Sequence, residues 1–375
     1  MLNIVYICNE YPPSATGGIG IFTQKLAESL ATKGNKITVV GLYQDCIEEK
    51  HEKINGVKVI RLPAKGGRLG LFNDRYNLYK TLKQLSIKKN IDIIECPDFE
   101  ATLAFVPKVA KHMLTRLHGS HTYFSAERNV EASNVVKFCE ARQLKTSHKV
   151  VSVSRYTAEV TRDLFSLKVL PDVIYNSVDV TRFTQHIKQD YSTRKKAIYF
   201  GTLVEKKGIY PLAFAWKQFQ SNNPDWTLTV IGKDAKEGGK SNKIRMQKLL
   251  GDASVSVNFI EHMPNEELVS SLKEYDFCVL PSFSEAFALA PMEAMAAGLP
   301  TIVSSMSSGP ELVKHGIDGW LCDPQDTATV LNALNLAAAS EETREKVGQA
   351  GQRKINEYFS FDDFVQNNIN YYNNL

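Results

Sequence analysis

Residues 281 to 305 are PSFSEAFALAPMEAMAAGLPTIVSS. It is almost wholly small or apolar, yet it carries Glu285 and Glu293 and no basic residue. A carboxylate in apolar surroundings is costly unless something pairs with it or donates hydrogen bonds to it. No basic side chain in the stretch does so, and the partner is therefore expected from elsewhere in the chain or from a ligand.

The preceding FCVL is a short apolar strand, PSFSEAFALA a loop, and LPTIVSS the next strand. Pro291 and Gly298 bracket a helix between them, with proline in its first turn and glycine just past its end. This places Glu285 on a loop at the carboxyl end of a strand and Glu293 in the first helical turn, which favours negative charge. The backbone N–H groups from Phe287 to Met292, Pro291 excepted, then make an anion site. Glutamates beside such a site can accept hydrogen bonds from ligand hydroxyls while phosphates sit on the amides. A nucleotide sugar has that order of groups. Alternatively, Glu293 only caps its helix and Glu285 is a solvated loop residue.

Outward from this unit, short apolar runs alternate with helical segments along the whole chain. NIVYIC, KITVVGLY, VKVIRL, IDIIEC, MLTRLHG, KVVSVS and DVIYN are the expected strands of the first half. KAIYFG, WTLTVIG, VSVNFIE, FCVLPS, LPTIVSS and GWLC are those of the second. Among the helices, Gly34 is expected as a C-terminal cap, with Ser154 and Asn265 as N-caps. Such alternation predicts α/β architecture: two Rossmann-like, doubly wound domains facing one another across a cleft. The joint is expected near Ser177 to Ser192. The domains are then 1–180, 181–355, and a terminal helix at 356–375 that returns to the first.

The charge is uneven. Residues 1–180 carry a net +7 and residues 181–375 a net −3, within a total of +4. A basic first half leaves room for peripheral contact with an anionic membrane leaflet. RLPAKGGRLGLF places Arg61, Lys65 and Arg68 beside Leu69, Leu71 and Phe72 and is the expected contact. The six cysteines are scattered with no C-x-x-C pair, which reads as core thiols of a reducing compartment. The opening MLNIVYICNEY is a first strand and not a signal peptide. No apolar run reaches the roughly 20 residues of a membrane span. A cytoplasmic protein is expected, at most peripheral at the inner face of the membrane.

Two phosphate-loop look-alikes fail. DAKEGGKS has Asp234 at the first glycine position, and GGIGIFT lacks the third glycine of a dinucleotide fingerprint. No D-x-D occurs anywhere, which argues against a metal-bridged diphosphate. His118 and His121 have the spacing of a metal pair, but no acidic or cysteine ligand is evident beside them.

Residues Pro281 to Pro300 resemble the pattern P-S-x-x-E-x-F-G-L-x-x-x-E-A-M-A-x-G-x-P of retaining glycosyltransferases of family 4, which have the two-Rossmann GT-B fold. YFGTLVEKKGI, LTVIG and SSGPELVKHGIDGWLCDP are similar to flanking family segments. EYPPSATGGIG, LHGS, VSVSRYT and VIYNSVDVTRF resemble those of its first half, in the right order. By this resemblance Glu285 holds donor-sugar hydroxyls, Glu293 the ribose hydroxyls, and Lys207 neutralises the diphosphate. The amides of Phe287, Ala288 and Leu289 touch the phosphates, and Glu261–Pro264 meets the base. Gly17 and Gly18 let the backbone approach the diphosphate, and His118 lies near the donor sugar and acceptor.

Three positions depart from the family: Thr202 replaces an arginine, Ala288 a glycine, and Ser308 one of two glycines. Loss of the guanidinium removes a bidentate phosphate contact. The resemblance implies a hexosyl- or N-acetylhexosaminyltransferase using a nucleotide-sugar donor, foremost a UDP-sugar. It implies no cofactor, no metal and no nucleic acid. The implied acceptor is a glycan or lipid-linked hydroxyl in bacterial cell-surface polysaccharide biosynthesis. The alternatives are a non-catalytic nucleotide- or glycan-binding relative and a same-fold sugar-nucleotide epimerase or synthase.

Overall fold

A computed structural model describes residues 1–14, 17–184 and 192–375. The chain forms two compact units, Met1–Ile174 with Val365–Leu375, and Tyr175–Phe364.

The first unit is built on β1 (Asn3–Ile7), β2 (Lys36–Tyr43), β3 (Lys50–Ile54), β4 (Val57–Pro63), β5 (Ile93–Pro97), β6 (His112–Leu117), β7 (Lys149–Ser152) and β8 (Asp172–Val173). They form one sheet in the order β3-β4-β2-β1-β5-β6-β7-β8. All pairings are parallel except β3 with β4. β1 is buried along its whole length and apolar from Ile4 onward apart from the Tyr6 hydroxyl, as a central parallel strand covered on both faces must be. β3 was not foreseen, because KHEKI is charged and almost wholly exposed; it is an edge strand of the kind that charge keeps from further pairing. DVIYN contributes only the two residues of β8. Leu78, Leu82, Ile94 and Leu103 pack with Val5, Ile7 and Val40 as its core.

The helix Phe361–Asn373 carries buried polar groups into this unit. Tyr372 donates to Glu95 Oε2 at 2.7 Å and meets the Tyr6 hydroxyl at 2.9 Å. Arg116 donates to both Glu95 oxygens, at 2.6 and 3.1 Å, and to Asn368 Oδ1 at 2.6 Å. Arg116 and Glu95 are 1% and 3% exposed, so the pair is sealed from water.

The second unit holds β9 (Lys196–Phe200), β10 (Thr227–Ile231), the hairpin strands β11 (Lys236–Glu237) and β12 (Lys240–Ser241), β13 (Val257–Ile260), β14 (Phe277–Leu280), β15 (Thr301–Ser304) and β16 (Trp320–Cys322). The main sheet, β13-β10-β9-β14-β15-β16, is parallel throughout. β9 comes first in the chain yet lies between β10 and β14, so strand order reverses there and a crevice opens beyond the carboxyl ends. Trp216, Phe219, Trp226 and Phe277 run through its core with successive ring centroids 5.1, 5.9 and 5.3 Å apart. The Trp216 indole N–H finds Ser256 Oγ at 3.0 Å, as a buried donor requires.

Local expectations held at Ser154, whose side chain accepts the Thr157 N–H, and at Gly34, which has φ of 85°. Asn265 is not a cap. Pro264 takes that position, and Asn265 Oδ1 instead accepts from Arg182 at 2.6 Å. Arg61 is no membrane contact: it is 5% exposed, paired with Glu52, and donates to the carbonyls of Tyr11 and Pro12. The side chains of Arg68, Leu69 and Leu71 lie outside the described residues. All six cysteines are free and buried. Among the described residues no helix is long and apolar enough to cross a membrane.

Candidate functional site

In the second unit β14 is apolar and fully buried, and Pro281 ends it. After the loop the chain turns into the helix Leu289–Ala296 at Ala288, whose backbone is extended and whose side chain makes no cap. A helix leaves its first N–H groups without intrahelical partners, so these amides at Ala288 and Leu289 are available to an anion. The helix begins two residues before Pro291. Glu293 is therefore its fifth residue, past the first turn in which its sequence context places it, because Ala288 and not the proline opens the turn.

A second loop comes from β9. It passes Gly201 and the exposed Thr202, closes a turn at Glu205–Lys207, and enters the helix Ile209–Asn222 through Gly208. Gly208 has φ of 72°, and a Cβ there would stand 1.8 Å from the Pro281 carbonyl oxygen. Only glycine permits that approach. The Phe283 N–H adds a 2.8 Å bond to the Lys206 carbonyl. Closed on one another in this way, the loops bring Lys207 Nζ onto Glu285 Oε1 as an ion pair, with the two side chains 27% and 20% exposed. Beneath it, burial and then the Glu285 carboxylate push the Tyr199 hydroxyl well above its ordinary range. That hydroxyl donates to the Thr202 carbonyl at 3.3 Å.

Phe287 is buried, its ring packed on Tyr175 and Phe359 at 5.2 and 5.6 Å, and its carbonyl accepts from Asn176 at 2.9 Å. Beyond β10 and β13 lies a pocket of about 150 Å³, lined by Gly232, Lys243, Phe259, Ile260 and Glu261 among others. Of Glu261–Pro264, which the resemblance assigns to the base, Glu261 lines this cavity. Asp234, the residue that spoils the phosphate-loop pattern, accepts from the Ser241 hydroxyl and from the Asn242 and Lys243 amides.

Gly17, Gly18 and His118 belong to the first unit. Gly17 caps the helix Gly18–Thr32 without a side chain. The Gly20 N–H donates to Glu10 Oε1 at 2.6 Å, and a Cβ on Gly20 would lie 2.1 Å from the Glu10 carbonyl oxygen. Sequence reading missed Glu10. Its signal was an acid in the loop ahead of a helix that has only glycine to cap it.

His118 follows β6 and stacks edge-on against Phe22 of that helix at 4.6 Å. Its backbone N–H donates to Asp98 Oδ1 at 2.8 Å. Burial, and then the Arg116 charge, bring the imidazole down to about 3, so it is neutral at ordinary pH. Burial raises Asp98 to about 7, against the hydrogen bond from His118. Among the described residues Asp98 Oδ2 has no hydrogen-bond partner. Asp98 too was missed, since nothing local marks it. His121 lies against Phe99 at 4.2 Å, a different aromatic partner from that of His118.

Residues 181–354 match the family described as glycosyl transferases group 1, and residues 16–182 the one described as glycosyltransferase family 4. Glycogen synthase of Mycobacterium tuberculosis is 22% identical over 96% of this chain and 92% of its own length. Among solved structures, sucrose-phosphate synthase from Thermosynechococcus elongatus superposes with a TM-score of 0.82 at 21% identity, covering 100% of this chain and 99% of that one. The Anabaena protein HepE, in complex with UDP-glucose, superposes at 0.78 and 16% identity over 100% of both chains. These neighbours share the GT-B fold, and the two parallel-sheet units described above have it.

Proposed function

Because the chain belongs to the group 1 glycosyltransferases, we propose that it moves a hexosyl or N-acetylhexosaminyl group from a UDP-sugar to an acceptor hydroxyl with retention of anomeric configuration. The observation that carries this reading is the Lys207–Glu285 pair at the carboxyl edge of the second sheet. On this reading the Lys207 ammonium and the amides of Ala288 and Leu289 hold the diphosphate. They stabilise charge as it develops on the leaving phosphate, where fixed donors count most. Glu285 accepts hydrogen bonds from sugar hydroxyls and Glu293 from the ribose. The pocket bordered by Phe259 and Glu261 takes the base. In the first unit, the family resemblance assigns Gly17 and Gly18 to the diphosphate and His118 to the donor sugar and acceptor. The neutral His118 imidazole serves as a hydrogen-bonding group and not as a cation.

No step assigned here requires a metal, since lysine and amides supply the positive charge. The acceptor is a glycan or lipid-linked hydroxyl of bacterial cell-surface polysaccharide assembly. That a neighbour of this fold is complexed with UDP-glucose supports the choice of donor class. The test is thermal stabilisation and nucleotide release with UDP-, GDP- and ADP-sugars, first with chelator and then with magnesium. Stabilisation by one donor with chelator-resistant release supports the reading. A protein stabilised by none of them is a non-catalytic relative, with Thr202 in place of arginine as the reason.

A further inference from the structure

We propose that a second surface, formed on the first unit by Phe105, Phe138, Arg75 and Arg142, docks on an anionic lipid bilayer. This goes beyond the transfer reaction and does not rest on it. Phe105 and Phe138 are 44% and 61% exposed, with ring centroids 6.4 Å apart. Single exposed apolar residues are ordinary, but a contiguous aromatic pair at a surface marks an interaction site. The guanidinium groups of Arg75 and Arg142 lie 5.8 and 5.1 Å from the centre of the same Phe105 ring. Arg75 is held there by hydrogen bonds to the carbonyls of Glu100 and Ala101, at 3.0 and 3.1 Å.

On the helix Asn134–Thr146, Val135, Phe138, Arg142 and Lys145 follow one another at helical spacing along a single exposed stripe. Cys139, Glu140, Gln143 and Leu144 form its buried side.

The charge settles the partner. The exposed charged residues of this helix and of residues 101–111 are basic, Lys108 and Lys137 included, with Glu100 and Glu131 the exposed acids at the borders. Glu140 is buried and accepts the His121 and Thr122 amides. Glu100, the acid nearest in sequence to Phe105, is engaged by Asn9. Rings that enter the headgroup boundary beside cations that meet lipid phosphates are the chemistry of interfacial binding. The first half as a whole, residues 1–180 with the patch included, is net +7.

The test is co-sedimentation of the full chain with phosphatidylcholine vesicles, with and without phosphatidylglycerol, at about 0.15 M salt. Wild type is expected to pellet only with the anionic vesicles. Phe138→Ser and Arg142→Glu are each expected to lower the partition coefficient by about tenfold or more at unchanged melting temperature. Variants that pellet like wild type, or a wild type that ignores anionic vesicles, overturn the proposal. If wild type ignores them and Phe138→Ser alone elutes as a smaller species, the patch is instead a protein contact, which also overturns it. Nucleotide release from UDP-glucose is read in parallel and is expected to be unchanged in Phe138→Ser. Vesicle binding by a wild type that releases nucleotide from none of the UDP-, GDP- and ADP-sugars would remove the transferase reading and leave the docking surface standing.

Discussion

Lys207 and Glu285 stand 78 residues apart along the chain, and the fold joins them as an ion pair. The proposed phosphate cation and the proposed sugar acceptor thus hold one another. Donor binding must exchange part of that contact for phosphate and hydroxyl groups.

Removal of the two partners is therefore expected to be asymmetric. Glu285→Ala frees the lysine, so UDP binding measured by calorimetry persists while kcat falls by about 10²–10³. Lys207→Ala leaves a partly buried carboxylate without its cation and weakens both binding and turnover. Glu293→Ala is expected to raise the donor KM by about tenfold, the scale of one hydrogen bond to a charged group. Wild-type kinetics in Glu285→Ala would remove its assigned role.

Gly208→Ala tests the loop closure itself. Its φ of 72° disfavours an L side chain, and its new Cβ meets the Pro281 carbonyl. Strain of about 1–2 kcal/mol is expected before the clash is counted. The measurement is the melting temperature together with donor KM. A lowered melting point with a raised KM follows if this contact positions Lys207; an unchanged KM would separate the two.

Asp98 carries a pH dependence. Its carboxyl is raised from 3.8 to about 7, chiefly by burial. The folded state therefore keeps a proton that the unfolded chain has lost between those values. Stability from this group is complete below about 4, falls by about 1.4 kcal/mol per pH unit as pH rises, and is gone above about 7. Asp98→Asn keeps an acceptor for the His118 N–H and does not titrate. In melting curves from pH 4.5 to 8.5 the variant is expected to gain on wild type up to about pH 7 and then hold a constant lead. Parallel curves would refute the assignment.

The buried Arg116–Glu95 pair gives a stability prediction. Arg116→Ala strands the Glu95 carboxylate and is expected to cost about 3–5 kcal/mol. Arg116→Met with Glu95→Leu is expected to recover part of the loss, because no buried charge remains although Asn368 Oδ1 and the Tyr372 hydroxyl each lose a partner. Chemical denaturation of both variants decides it; equal losses would show that packing, and not charge, is at stake.

Much of this molecule is legible in its residues alone. The strands NIVYIC and KITVVGLY and the N-cap at Ser154 depend on apolar runs and neighbouring hydrogen bonds, which a short window contains. The alternation of strand and helix then leaves few topologies open, so two parallel α/β units followed. What needed tertiary structure is whatever depends on which distant backbones meet. KHEKI pairs only because β4 presents it with an edge. Arg61 reads as a surface cation until Glu52 and two carbonyls enclose it. Glu10 reads as a loop acid until Gly20 turns its N–H toward it. Lys207 meets Glu285 only because Gly208 lets the β9 loop lie against Pro281. Propensity and period act over a few neighbouring residues, whereas desolvation and ion pairing act across space, through contacts that exist only once the chain has closed.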